Sequence, residues 1–84
     1  MELWIRSQNK GTLMKVEILG QTDGIIKAFF PNGNVGLGNY ETVERALEVL
    51  DEIQNKLIDF KVEFNDSGVT YKDVSVLVYE MPEV

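Results

Sequence analysis

The stretch Glu41–Asp59, ETVERALEVLDEIQNKLID, decides the fold. Val43, Ala46, Leu47, Leu50, Ile53 and Leu57 recur at steps of three and four, which places them on one face of an α-helix. Glu44, Glu48, Asp51, Glu52, Asn55 and Asp59 fall on the opposite face. No Gly or Pro interrupts the run, and good helix formers fill it. Thr42 is the expected N-cap, its hydroxyl accepting from an unpaired backbone N–H, with Glu44 just inside at the positive end of the dipole. Glu41 with Arg45, and Glu52 with Lys56, stand four apart in the favourable order. Burying the apolar stripe contributes about 10 kcal/mol before conformational entropy is subtracted.

The segments before the helix read as strands that supply the matching surface. Glu2–Gln8 alternates, with Leu3, Ile5 and Ser7 on one side and Trp4, Arg6 and Gln8 on the other. Asn9-Lys10-Gly11 is a turn in which Gly11 is free to take a positive φ. Thr12–Leu19 forms a second strand, with Met14, Val16 and Ile18 on one face, and Gly20–Gly24 forms another turn. Ile25–Phe30 and Val35–Tyr40 are joined through Asn32-Gly33, the strongest short hairpin signal in the chain. After the helix, Phe60–Phe64 alternates briefly, Asn65–Gly68 marks a turn and Val69–Tyr71 can pair back across it. Val74–Met81 is the most strand-like segment, with apolar residues on both sides, and Pro82 ends it. The expected fold class is α+β in a single domain, residues 1–84. Its expected form is an antiparallel or mixed sheet of about five strands, a four-strand meander with the long helix on one face and a closing strand.

Composition removes whole classes of chemistry. The 84 residues contain no cysteine and no histidine, so disulfides, thiolate metal sites and the commonest general base are all absent. A hydrophobic fraction of 44% is that of a folded domain. With 8 basic and 14 acidic side chains the net charge is −6, which disfavours broad nucleic-acid binding. No segment has the length and apolarity of a membrane span or the pattern of a signal peptide, so a cytoplasmic location without membrane attachment is expected. A core this small also favours a homo-oligomer, and a last strand that is apolar on both sides needs a second covering layer.

Two candidate sites follow from the residue types. Trp4, Arg6 and Gln8 put an indole, a guanidinium and an amide on one strand face, a usable set for a ligand bearing a base and a phosphate. The alternative is that Trp4 packs in the core with Arg6 and Gln8 at its rim. Tyr40, Thr42 and Arg45 at the helix start form the second candidate group. Gly33, Gly36 and Gly38 precede the helix as phosphate-binding glycines do, but their spacing fits neither the dinucleotide fingerprint nor the P-loop; hairpin and strand glycines account for them. The helix carboxylates lack the unequal environments that acid–base catalysis needs, and Asp66 alone is no calcium loop. No metal, cofactor or catalytic group is expected, and the enzyme class ranks last.

WIRSQ at Trp4–Gln8, LGNYETVERALEVLDEIQ at Leu37–Gln54 and YEMP at Tyr79–Pro82 resemble a group of short proteins from phages and prophages of Gram-positive bacteria. The resemblance covers both ends and the central helix, and it implies a phage-type origin and a location in the bacterial cytoplasm. Accessory phage proteins of this size often act by binding, which gives two expectations. The first is a non-enzymatic counter-defence protein that sequesters a small anionic, nucleotide-like signal. The second is an inhibitor that binds a host defence protein through the acidic helix face of Glu44, Glu48, Asp51, Glu52 and Asp59. A structural phage component is a third.

Overall fold

The computed structural model describes residues 2–67 and 76–84, the helix beyond residue 58 as backbone only. It is α+β, in the element order β1 (Glu2–Arg6), β2 (Leu13–Val16), β3 (Leu19–Thr22), β4 (Ile25–Phe30), β5 (Gly33–Asn39), α1 (Val43–Ser67) and β6 (Val76–Glu80). Where the sequence suggests about five strands in one sheet, the described residues contain six, in two three-stranded sheets ordered β2-β1-β6 and β3-β4-β5. The first sheet is mixed, because β6 lies parallel to β1 while β2 is antiparallel to it. The second is an antiparallel meander.

The division falls inside the expected Thr12–Leu19 strand. Val16 is buried, yet Ile18, two residues on, is 60% exposed, so the alternation breaks at Glu17. The chain turns there and enters the other sheet, where the Ile18 carbonyl accepts from the Phe29 N–H at 3.0 Å. Gly20, Gln21 and Thr22 are correspondingly strand residues and not a turn. The turn is Asp23-Gly24 alone, with φ of 54° and 87°, the pair of positive values that a two-residue hairpin of the primed kind requires. A side chain on Gly24 would also press a Cβ to 2.7 Å from the Tyr40 carbonyl oxygen. In the β1–β2 turn the positive φ, 70°, belongs to Lys10, whereas the sequence points to Gly11. The Asn9 side chain stabilises this turn by accepting from Ser7 Oγ and from the Gly11 N–H.

The helix starts as expected: the Arg45 N–H donates to Thr42 Oγ1 at 3.0 Å. Its other end differs, because the helix continues to Ser67 and takes in the Phe60–Phe64 segment that alternates like a strand. The expected pairing of Val69–Tyr71, and the start of the last strand at Val74, lie outside the described residues. The buried stripe is also rotated from the expected one. Ala46, Val49 and Ile53 are buried, Leu50 and Leu57 pack partly against them, and Val43 and Leu47 are more than a third exposed. Val49 takes their place because α1 lies across β3, β4 and β6 and so meets both sheets.

The core joins both sheets to the helix through Ile5, Val16, Ile26, Ala28, Leu37, Tyr40, Ala46, Val49, Ile53, Tyr79 and Met81. In β6 the alternation holds: Tyr79 and Met81 point inward, and Val76 and Val78 are about half exposed on the other side. Among the described residues no helix lies on the outer face of the mixed sheet, and α1 packs on the inner side.

Candidate functional site

The residues singled out from the sequence separate into two places. Gln8, Tyr40, Thr42 and Arg45 converge where the helix begins. Trp4 and Arg6 stand apart on the outer face of the mixed sheet. The strand that carries WIRSQ thus feeds both places, and Gln8 leaves the face of Trp4 and Arg6 because β1 ends at Arg6.

At the first place the side chains hold the segment that follows β6. Gln8 Nε2 donates to the Glu83 carbonyl at 2.8 Å, and Tyr40 Oη donates to the Pro82 carbonyl at 2.8 Å. Arg45 closes the set with Nε and Nη2 donating to the main-chain oxygen of Val84 at 3.1 and 3.0 Å. Three consecutive carbonyl oxygens are met by side chains from three parts of the fold. Gln8 also stitches the sheets together: its N–H donates to the Leu37 carbonyl, and its Oε1 accepts from the Asn39 N–H, each at 2.8 Å. The register of β5 against β4 shifts beside Leu37, between Gly36 and Gly38.

Glycine explains how the Tyr40 ring fits. A Cβ on Gly38 would sit 2.8 Å from the ring and 3.0 Å from Met81 Cε, so only glycine lets the phenol lie against the strand. The N–H groups here are occupied, Asn39 by Gln8 and Tyr40 by the Gly24 carbonyl. They form no open cradle for a phosphate, which agrees with a structural role for Gly36 and Gly38.

A charged network continues along the helix. Arg45 Nη1 reaches Glu48 Oε1 at 3.2 Å and Glu52 Oε2 at 3.5 Å, not Glu41. Glu52 in turn accepts from Tyr79 Oη at 2.8 Å, and the Arg45 guanidinium lies 5.9 Å from the Tyr40 ring centroid. Burial raises the Tyr40 phenol above its usual pKa, against the opposing pull of Arg45. Tyr79 is raised further, first by burial and then by its bond to the Glu52 carboxylate. Both phenols therefore act as neutral hydrogen-bond donors at neutral pH. The network also removes Glu48 and Glu52 from the acidic helix face; Glu44 and Asp51 are the acids of that face with no ion pair among the described residues. A cleft of about 340 Å³ remains beside it, lined by Asn39, Tyr40, Glu41, Thr42, Arg45, Glu83 and Val84.

The second place is open. Trp4 lies outside the buried core, half-buried, between its cross-strand partners Lys15 and Val78. Its Nε1 donates to Glu2 Oε1 at 3.0 Å, and Lys15 Nζ lies 3.7 Å from the other Glu2 oxygen. The indole bond, and then the Lys15 charge, hold the Glu2 carboxyl below the usual carboxylate range. Arg6 lies between Leu13 and Glu80, and its Nη1 donates to the Lys10 carbonyl at 3.0 Å. Lys10 pairs with Glu80 at 3.4 Å. Arg6 alone of these cations makes no ion pair among the described residues. Leu13, Val76 and Val78 are each about half exposed around this set.

A third feature escaped the sequence. A cleft of about 490 Å³ is lined by Lys15, Glu17, Ile18, Phe29, Phe30 and Pro31. The run Phe29-Phe30-Pro31 is its only sequence signal, and the turn at Glu17 that creates it has none. Among the described residues no acidic side chains cluster to hold a metal, and no helix is long and apolar enough to cross a membrane. Comparison of the chain with protein families, curated proteins and solved structures gives no match.

Proposed function

We propose that this chain works by binding and not by catalysis, and that its working surface is the outer face of the mixed sheet, with another protein as the partner. The observation that carries this is the placement of Trp4. A large aromatic stands only partly buried on a strand face among exposed Leu13, Val76 and Val78, ringed by Glu2, Arg6, Lys10, Lys15 and Glu80. An apolar centre with an aromatic anchor and a charged rim is the anatomy of a protein interface. The face is broad and open, whereas small-molecule sites are concave. In the phage setting that the sequence resemblance implies, such a protein occupies a host protein, and a second copy of the chain is the other candidate for the same face.

The test is affinity capture from host cells with the wild-type chain, Trp4→Ala and Arg6→Glu, each shown to be folded by circular dichroism. The wild type should retain a partner that both variants lose, with Trp4→Ala weakening the complex by about 2 kcal/mol or more, as a buried aromatic anchor does. Equal retention by all three removes this face from consideration. Sedimentation at micromolar concentration distinguishes self-association, which the same substitutions should abolish.

One observation favours a second reading, the capture of a small anionic ligand. Among the described residues Arg6 keeps part of its planar fork free of carboxylates beside the partly buried indole, an arrangement suited to a phosphate or carboxylate next to a flat ring. Calorimetric titration with a nucleotide panel should then show Arg6→Ala losing about 2 kcal/mol and Arg6→Lys recovering only part. Unaltered affinity across the three proteins excludes Arg6 from such a site.

A further inference from the structure

Among the described residues, the helix carries more apolar surface than the packed core takes up. At 100° per residue, the buried and partly buried positions Val49, Ile53, Ala46, Leu57 and Leu50 sweep an arc of roughly 100°, enough for an ordinary surface helix. Val43, Leu47 and Ile58 extend that arc by roughly another 80° beyond Leu50. These three are 39%, 46% and 48% exposed. With Gln54 between them they form a strip about 22 Å long on the helix. The opposite flank is the one occupied by β6 and the segment after it, through Glu52 with Tyr79 and Arg45 with Val84. The strip thus lies on the flank that β6 leaves free.

Its two margins differ. On the inner side it runs into Leu50 and Leu57, which belong to the core. On the outer side stand Asp51 and Glu44, roughly 40° and 60° beyond Leu47, and neither is in an ion pair among the described residues. An apolar strip with acid along one margin only is complementary to an amphipathic helix with basic residues along one margin. A second copy of this strip is a poor occupant, since among the described residues it offers acid and no Lys or Arg to pair with Glu44 and Asp51.

We propose that the exposed flank of α1, centred on Leu47, is a docking strip for an amphipathic basic helix of a partner protein. Leu47 and Ile58 supply the apolar contact, and Glu44 and Asp51 pair with the partner's Lys or Arg side chains. This surface is separate from the Trp4 face and stands whether or not that face binds anything.

The probe is a synthetic Leu/Lys peptide whose leucines fall on one helical face, titrated by calorimetry against the whole chain, with a scrambled peptide of the same composition as control. The wild type should bind the amphipathic peptide at least about tenfold more tightly than the scramble. Leu47→Asn should remove that preference. Glu44→Lys with Asp51→Lys should weaken binding about tenfold, while Glu17→Lys, a reversal outside the helix in the connection between β2 and β3, should change it less than about twofold. Trp4→Ala should leave the affinity unchanged, which separates this surface from the Trp4 face. Melting curves confirm that each variant folds, as expected for exposed positions. The proposal is overturned if scramble and amphipath bind alike, if Leu47→Asn retains the preference, or if Glu17→Lys weakens binding as much as the helix reversals do. It is equally overturned if sedimentation shows a dimer that Leu47→Asn dissociates, because a second copy then fills the strip.

Discussion

Two aromatic residues, Tyr40 and Trp4, sit beside an arginine at opposite extremes of the same design. Tyr40 is 4% exposed, its hydroxyl is spent on Pro82, and Arg45 beside it is committed to Val84, Glu48 and Glu52. Trp4 is only partly buried, and among the described residues Arg6 is tied to a carbonyl four residues away in its own turn. Residue type alone does not distinguish a ligand site from a structural clamp. What distinguishes them is which partners the donors hold. Tyr40 and Arg45 donate to main-chain oxygens about forty residues away and so tie the fold together, whereas Trp4 and Arg6 donate only to their near neighbours Glu2 and Lys10 among the described residues.

The largest effect that tests this contrast is expected at Tyr40. Tyr40→Ala should cost about 3–5 kcal/mol in denaturant unfolding, since it empties a buried aromatic site and frees Pro82. A loss below about 1 kcal/mol would mean that the clamp is a bystander. Next comes a pair of glycines. Gly38→Ala drives a Cβ into the Tyr40 ring and should cost about 1–3 kcal/mol, whereas Gly36→Ala, whose Cβ meets nothing closer than 3.8 Å, should stay within about 0.5 kcal/mol. Equal effects at both glycines would break the link between Gly38 and the phenol.

Tyr79 gives a smaller effect with a pH signature. Its folded pKa is raised by burial and by Glu52, so its contribution is fully present below the unfolded value of about 10. That contribution is lost as the pH rises through the folded value. Tyr79→Phe should cost about 1 kcal/mol at neutral pH and flatten the alkaline fall in stability. An alkaline limb as steep as that of the wild type would assign the effect to other groups. The smallest effect is at the open site. Arg6→Ala should leave the unfolding free energy within about 0.5 kcal/mol. Trp4, the only tryptophan, should report the titration of Glu2 as a fluorescence change below the usual carboxylate range, and Glu2→Gln should abolish it.

Much of the fold is legible in the residues. Periodicity marks the helix start, its Thr42 cap and the alternation of β1, β4 and β6, because each follows from the backbone geometry of one element. The split into two sheets is not legible, because the Met14-Val16-Ile18 alternation continues in the sequence through the point where the chain turns. Neither is the rotation of the buried helix stripe. Leu47 and Val49 are both apolar, and which one is covered depends on where β3 and β6 lie. The candidate residues divide in the same way. Alternation correctly puts Trp4 and Arg6 on one side of β1, but nothing local shows that Gln8 leaves that face to bind β5 and the segment after β6. The partners of Tyr40 and Arg45 are main-chain oxygens distant in sequence, and carbonyls carry no sequence signal.

The parallel pairing of β1 with β6 sets an order of events during folding. Glu2 meets Val76 and Arg6 meets Glu80, so the first strand pairs with the last, across nearly the whole chain. The meander β3-β4-β5 closes over short turns and can form early, whereas the mixed sheet must wait for every other element to be synthesised. Until then one edge of β1 has no strand beside it, in a segment that also carries the Trp4 indole. A nascent or truncated chain lacking β6 therefore presents its stickiest strand unguarded. Substitutions in β6 should lower the yield of folded protein through aggregation before they alter any property of the finished molecule.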